Sequence, residues 1–311
     1  LFYRITTPTL CGRGALAYHR RSREDSMALR STPRLRSALL AAAGVLAAGF
    51  GVAVDPAAAQ AKLDAKYTAT LAGLPIGKGS WVLDFDEDSY TSTMSGGTSG
   101  LIKLFAGGQG VSTVRGVWAG DRSTGSVYTA EIKTKRKTDH VDITVEAGKI
   151  KDFKVSPPVD DEAGRVPITE AEMRGVTDPM TGSMVHVPAG ELLSPGVCKR
   201  TLPLFDGRYR YNLKLAFKRM DTVKASKGYA GPVVVCSVLF APVAGFVPGR
   251  SAIKYLVAMR DAEVWLAPVQ GTRLLVPFRV EVPTPLGTGA VEAREFIVTP
   301  KPIKAAVKRK G

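Results

Sequence analysis

Cys198 and Cys236 are the residues of this chain best suited to covalent chemistry with each other. The sequence holds one further cysteine, Cys11, far upstream in a segment read below as lying ahead of the folded protein. Two cysteines left in an exported chain predict a disulfide, because an even count in an oxidising compartment favours pairing. In the chain-entropy account, closing a loop of that length stabilises the fold by about 4 kcal/mol. Two buried free thiols are the alternative. No C-x-x-C spacing occurs, so thiol–disulfide catalysis has no motif to rest on.

Arg208, Arg210, Lys214 and Lys218 form the second candidate group. They occupy even positions of an alternating run and so share one side of a strand. If that side lines a groove, it can hold an anionic head group, with arginine suited to bidentate contact. If it faces water, it is an ordinary charged sheet surface, and antiparallel sheets commonly wet one face.

The remaining constellations are weaker. Asp84, Asp86, Glu87 and Asp88 suggest a calcium loop, but the EF-hand positions for Gly and the final Glu hold Ser89 and Ser95. A solvated hairpin turn explains them better. His140 and His186 fit no metal-ligand spacing, and no metal or other cofactor is expected. Ser183 with His186 has no G-x-S-x-G elbow to support a hydrolase. Gly96-Gly97-Thr98-Ser99-Gly100 and Gly107-Gly108-Gln109-Gly110 lack the lysine and helix pattern of a phosphate loop and read as loops or bulges.

The elements that must position these residues are strands. From Arg208 to Lys218, Tyr209, Tyr211, Leu213, Leu215 and Phe217 alternate with polar residues, as in a half-buried strand. A Gly-rich break over Lys227–Pro232 precedes a second apolar run, Val233–Phe240, and the two predict an antiparallel pair that brings the cysteines together. Further strands are expected at 66–71, 80–85, 90–94, 111–118, 127–133, 140–145, 150–155, 253–259, 262–266, 274–282 and 290–298. Glu146-Ala147-Gly148 and Thr284–Gly289 read as turns. Thr169–Gly175 reads as a short helix, with a Thr169/Glu172 capping box and Gly175 as its stop. Asp178-Pro179 reads as a second helix start. The fold class is therefore mostly β: a single antiparallel, strongly curled sheet, a β-spiral or open barrel, with a small helical insertion. Curling hides the edges of so many strands.

The N-terminus reads as an address. Residues 1–26 are Arg-rich without periodicity and are taken as a start-site artefact. In residues 27–61, Arg30, Arg34 and Arg36 precede an apolar run from Leu39 to Val54, and Ala59-Gln60-Ala61 supplies a small-x-small cleavage site. A cleaved signal peptide is expected, with a β-rich domain over 62–300 and a basic tail over 301–311. The run is short for an uncleaved anchor. The whole chain carries a net charge of +15, with basic runs at Lys133–Lys137 and in the tail. Such charge attracts anionic partners without specificity. With no zinc-finger spacing or aromatic-interleaved basic helix, anionic envelope material is the expected partner and nucleic acid is not.

Four stretches carry a family likeness: Tyr67–Gly77, Asp178-Pro179, Cys198 before Phe205-Asp206-Gly207-Arg208, and Cys236 before Pro242-Val243-Ala244-Gly245. Together they resemble the domain of unknown function 3108 family of bacterial envelope proteins. The resemblance implies an exported, β-rich protein. In layout the chain is also similar to the β-spiral envelope-integrity proteins, which carry a disulfide too. The expected function is a non-enzymatic periplasmic scaffold or binding module for envelope homeostasis. A carrier of a lipid or other amphipathic anionic ligand inside the curled sheet is the alternative, and an envelope hydrolase ranks third.

Overall fold

The computed structural model describes residues 60–301, apart from 87, 101–106, 121, 160, 161 and 188. The expected start-site segment, nearly all of the signal peptide and the tail past Lys301 lie outside the described residues. The first strand begins at Gln60, ahead of the expected mature start at Lys62, and Ala61 is already fully buried.

Seven strands follow one another as hairpins: β1 (Gln60–Leu71), β2 (Leu74–Asp86), β3 (Ser89–Thr98), β4 (Gly108–Ala119), β5 (Arg122–Thr134), β6 (Thr138–Glu146) and β7 (Lys149–Ser156). A long connection then carries α1 (Pro179–Gly182), β8 (Val185–His186) and a 3-10 turn at Pro195–Cys198. The second half supplies β9 (Arg200–Phe205), β10 (Arg210–Lys224), β11 (Lys227–Gly228) and β12 (Ala230–Ala244). After α2 (Ser251–Ala258) come β13 (Glu263–Pro268), β14 (Leu274–Thr284) and β15 (Gly287–Pro300). β15 pairs with β1, which joins the halves into one antiparallel sheet in the order β7-β6-β5-β4-β3-β2-β1-β15-β14-β13-β12-β10-β9. The protein is mostly β, as expected, with small helices. At the β6–β7 turn Ala147 and Gly148 both have positive φ, the backbone that a two-residue hairpin requires.

The ladder is open, because β7 and β9 at its two ends do not pair. Met173–Thr177 runs between them. The Ile150 N–H donates to the Met173 carbonyl at 3.0 Å and the Val176 N–H to the Gly148 carbonyl at 3.1 Å. On the other side, the Thr177 N–H donates to the Pro203 carbonyl and the Phe205 N–H to the Thr177 carbonyl, both at 3.0 Å. Phe153 of β7 also meets Phe205 of β9 edge to face, with ring centroids 5.0 Å apart.

Two-residue alternation sorts the side chains onto two faces. One face buries a large core that takes Leu63, Trp81, Phe85, Ile143, Phe205, Phe278 and Phe296 from strands throughout the sheet. On the other face a smaller core forms over β10 and β12–β14, where Val185, Val187, Val197 and Cys198 gather with Leu215, Val234, Cys236, Val264, Leu266 and Leu275. β12 is therefore buried on both sides: Val233 and Val235 enter the large core, Val234 and Cys236 the small one.

Three local expectations are corrected. The capping box at Thr169 forms, its N–H donating to the Glu172 carboxylate at 3.0 Å, but only one turn follows because Met173–Thr177 is drawn into extended contact with both sheet ends. Residues 253–259 are not a strand. α2 half-buries Ile253 and Leu256 on one side and leaves Tyr255 and Val257 exposed, so the three-residue spacing wins over the two-residue one. The glycine-rich stretches expected as loops are largely strand, in β3 and β4.

Candidate functional site: a glycine-walled cavity

The register of β1–β5 lays out three rows of residues on the large-core face, since directly opposed residues share a side. The innermost row is Ala65–Trp81–Met94–Ser112–Ala130. The next is Tyr67–Gly79–Gly96–Gly110–Ile132, so three adjacent strands contribute no side chain. The outermost row places Ala69 beside Gly77 and Gly77 beside Thr98, whose hydroxyl accepts from the Gly108 N–H at 3.0 Å. Five glycines thus stand where a β-sheet would normally project bulk.

The missing volume is a cavity of about 750 Å³, within the usual range for small-molecule sites. Its walls are overwhelmingly carbon, with Trp81 and Met94 at depth and Ile132 and Val291 at the lip, 50% and 43% exposed. Several of the polar groups along it are partnered. The Tyr67 hydroxyl donates to the Pro277 carbonyl at 2.8 Å, and burial holds its pKa well above the usual phenol range. The Ser183 hydroxyl donates to the Met180 carbonyl at 2.6 Å. Arg279 lies 5.1 Å over the Trp265 ring and pairs with Glu281. A shallower hollow of about 470 Å³ lies on the opposite face of the same glycine patch, between Lys66, Lys78 and Lys133.

A buried polar knot fixes α1 against β3 and β5. Asp178, fully buried, caps α1 by accepting the Thr181 N–H at 2.8 Å and also accepts the Ser126 hydroxyl at 2.7 Å. The Tyr90 hydroxyl bonds Thr181 Oγ1 at 2.6 Å, and burial, first among its causes, pushes its pKa up to about 12. Asp178→Ala removes the cap and leaves buried donors unpaired. It should cost about 3 kcal/mol in urea unfolding, whereas Asp178→Asn, which can still accept, should cost about 1.

The disulfide forms as expected. Cys198 and Cys236 are bonded, with Cα atoms 5.5 Å apart, on the face opposite the cavity. The four basic residues do not converge on one groove. Arg208 donates to Asp139 and to the Pro157 carbonyl, both at 3.0 Å. Arg210 is buried and donates to the Glu172 and Tyr211 carbonyls and to Asn212 Oδ1. Lys218 pairs with Glu263, and Lys214 is exposed. The scatter has three sources: Arg208 precedes β10, a register shift separates Arg210 from Tyr211, and a second shift between Phe217 and Arg219 leaves Lys218 without an opposed partner on β12.

Ser183 and His186 bond different groups, His186 Nδ1 lying against the Gly120 carbonyl between Phe85 and Trp118. Among the described residues no three His, Cys, Asp or Glu side chains gather as a metal site would need. Asp84 pairs with Lys301, and Asp86 and Ser89 close the β2–β3 hairpin. Sequence reasoning missed the glycines. Their signal was the two-residue spacing in Gly77-x-Gly79 and Gly108-x-Gly110, legible once those stretches are strands.

The model of a family described as protein of unknown function, DUF3108, matches residues 66–294. No curated protein matches the chain. Among solved structures, the crystal structure of a beta-barrel-like protein of domain of unknown function DUF1849 from Brucella abortus is similar. It has 9% identity, covering 78% of this chain and 98% of that one, with a TM-score of 0.45.

Proposed function

We propose a function for a chain that belongs to the DUF3108 family: it is a non-enzymatic envelope binding protein that holds the apolar part of an amphipathic molecule in the glycine-walled cavity. The observation that carries this reading is the row Gly79–Gly96–Gly110, which opens a carbon-lined space beside a core otherwise filled with Trp and Phe. In this reading the open ladder curls on itself as a spiral or open barrel, its ends drawn together by Met173–Thr177, and the cavity is the unfilled part of its interior. The signal peptide in residues 27–61 sends it to the periplasm, where lipid-like ligands and anionic envelope components are its partners. The Tyr67 and Ser183 hydroxyls are each committed to a backbone carbonyl, which favours binding over catalysis.

A polarity-sensitive naphthylamine probe tests the proposal. Saturable binding at one site per chain, displaced by a fatty acid or lysophospholipid but not by a sugar, is the expected result. Absence of saturable binding would overturn it.

A further inference from the structure

We infer that the end of the sheet where the cavity opens docks on an anionic lipid surface. Antiparallel register places the β1–β2 turn, the β14–β15 turn and the β5–β6 turn at that same end, beyond the outermost row of the cavity. The first two turns are neighbours, the Ala72 N–H donating to the Thr288 carbonyl at 2.9 Å. Each presents a leucine to water: Leu74 is 70% exposed and Leu286 76%. The lip residues Ile132 and Val291 stand behind them. The third turn carries Lys133, Lys135, Arg136 and Lys137, all exposed, and Lys78 is exposed on β2. Lys133 pairs with Glu131 and Lys137 with Asp139, but these are surface pairs that hold the charges weakly.

Charge complementarity and geometry select the occupant. Leucines on two hairpin tips, rather than on a broad flat patch, do not make the area that a stable protein interface buries. They suit shallow insertion at a headgroup boundary, where buried apolar groups and basic residues act together. Each basic residue near an anionic leaflet strengthens binding by about fivefold. A mouth held against the leaflet would let an amphipathic molecule pass between bilayer and cavity without crossing water. The inference stands on the tips and the basic turn, not on the contents of the cavity.

Vesicle flotation tests it, using the protein as the cell produces it, with its N-terminus fixed by mass spectrometry. Vesicles of phosphatidylglycerol and phosphatidylethanolamine should float the protein, and neutral phosphatidylcholine vesicles should float much less. L74S/L286S should weaken flotation at least tenfold, and K133Q/R136Q/K137Q should weaken it and flatten its salt dependence. All five positions are exposed, so unchanged melting temperatures should show the variants folded. Gly110→Leu should float as the unaltered protein does, which separates docking from ligand binding. No flotation on anionic vesicles, which would leave the tips to a protein partner, or flotation untouched by either set of changes, would overturn the inference.

Discussion

Leucine in place of Gly110 should weaken binding of the probe at least tenfold, a loss of about 1.4 kcal/mol or more, while leaving the fold intact. A Cβ at Gly110 would meet the Glu131 carbonyl at 3.4 Å and Ile132 Cγ1 at 3.5 Å, which is close to ordinary contact. The rest of the side chain then enters the cavity, where Gly79 and Gly96 beside it contribute no bulk. Gly79 makes an instructive contrast, since a Cβ there would sit 2.9 Å from the Ser95 carbonyl and force the backbone to move. Loss of binding in a Gly79 variant would therefore confuse filling with distortion. A leucine also suits a strand better than glycine, so stability should hold or rise by about 0.5–1 kcal/mol. Titration of the probe beside a thermal melt reads both effects. Undiminished affinity in a folded Gly110→Leu protein would show that the glycine row does not hold the ligand.

Cys198→Ala/Cys236→Ala should do the reverse, lowering stability sharply and sparing the cavity. The bond closes a sequence separation of 38 residues, which corresponds to roughly 4 kcal/mol of denatured-state constraint. For a domain of this size that is a fall in melting temperature of about 8–16 °C. Both sulfurs are fully buried in the small core, where they tie the 3-10 turn to β12. The residues that cover this face of β12–β14 would loosen first. Val233 and Val235 point the other way, into the large core, so affinity for the probe at a temperature well below the melt should be unchanged. A fall of less than about 3 °C would mean the small core holds that face without the bond.

The two variants also mark what was legible in the chain. The pairing of β10 with β12 was, because an alternating run and a continuous apolar run flank a Gly-rich break. So was the cap at Asp178, where the Asp-Pro pair fixes a helix start by local chemistry alone. The basic face was not. Arg208, Arg210, Lys214 and Lys218 share a side only if one strand runs through all four with its period intact, whereas β10 begins at Arg210 and shifts register beside Tyr211 and again past Phe217. α2 was misread because Ile253, Tyr255 and Val257 satisfy one period while Ile253 and Leu256 satisfy another, and burial decides between them. Thr169–Gly175 failed for a different reason. Its caps are local, but the pull that extends Met173–Thr177 comes from strands distant in sequence. The cavity was hidden by the reading of glycine as a loop residue. In paired strands the same glycines become absent side chains, and their two-residue spacing becomes a shape.

Native mass spectrometry of the protein isolated from its own cells, run intact and after denaturation, tests the binding claim most directly. The account predicts an intact mass above the denatured one by the mass of a single amphipathic molecule, a difference absent from Gly110→Leu. Identical intact and denatured masses for the unaltered protein, with the disulfide in place, would contradict it.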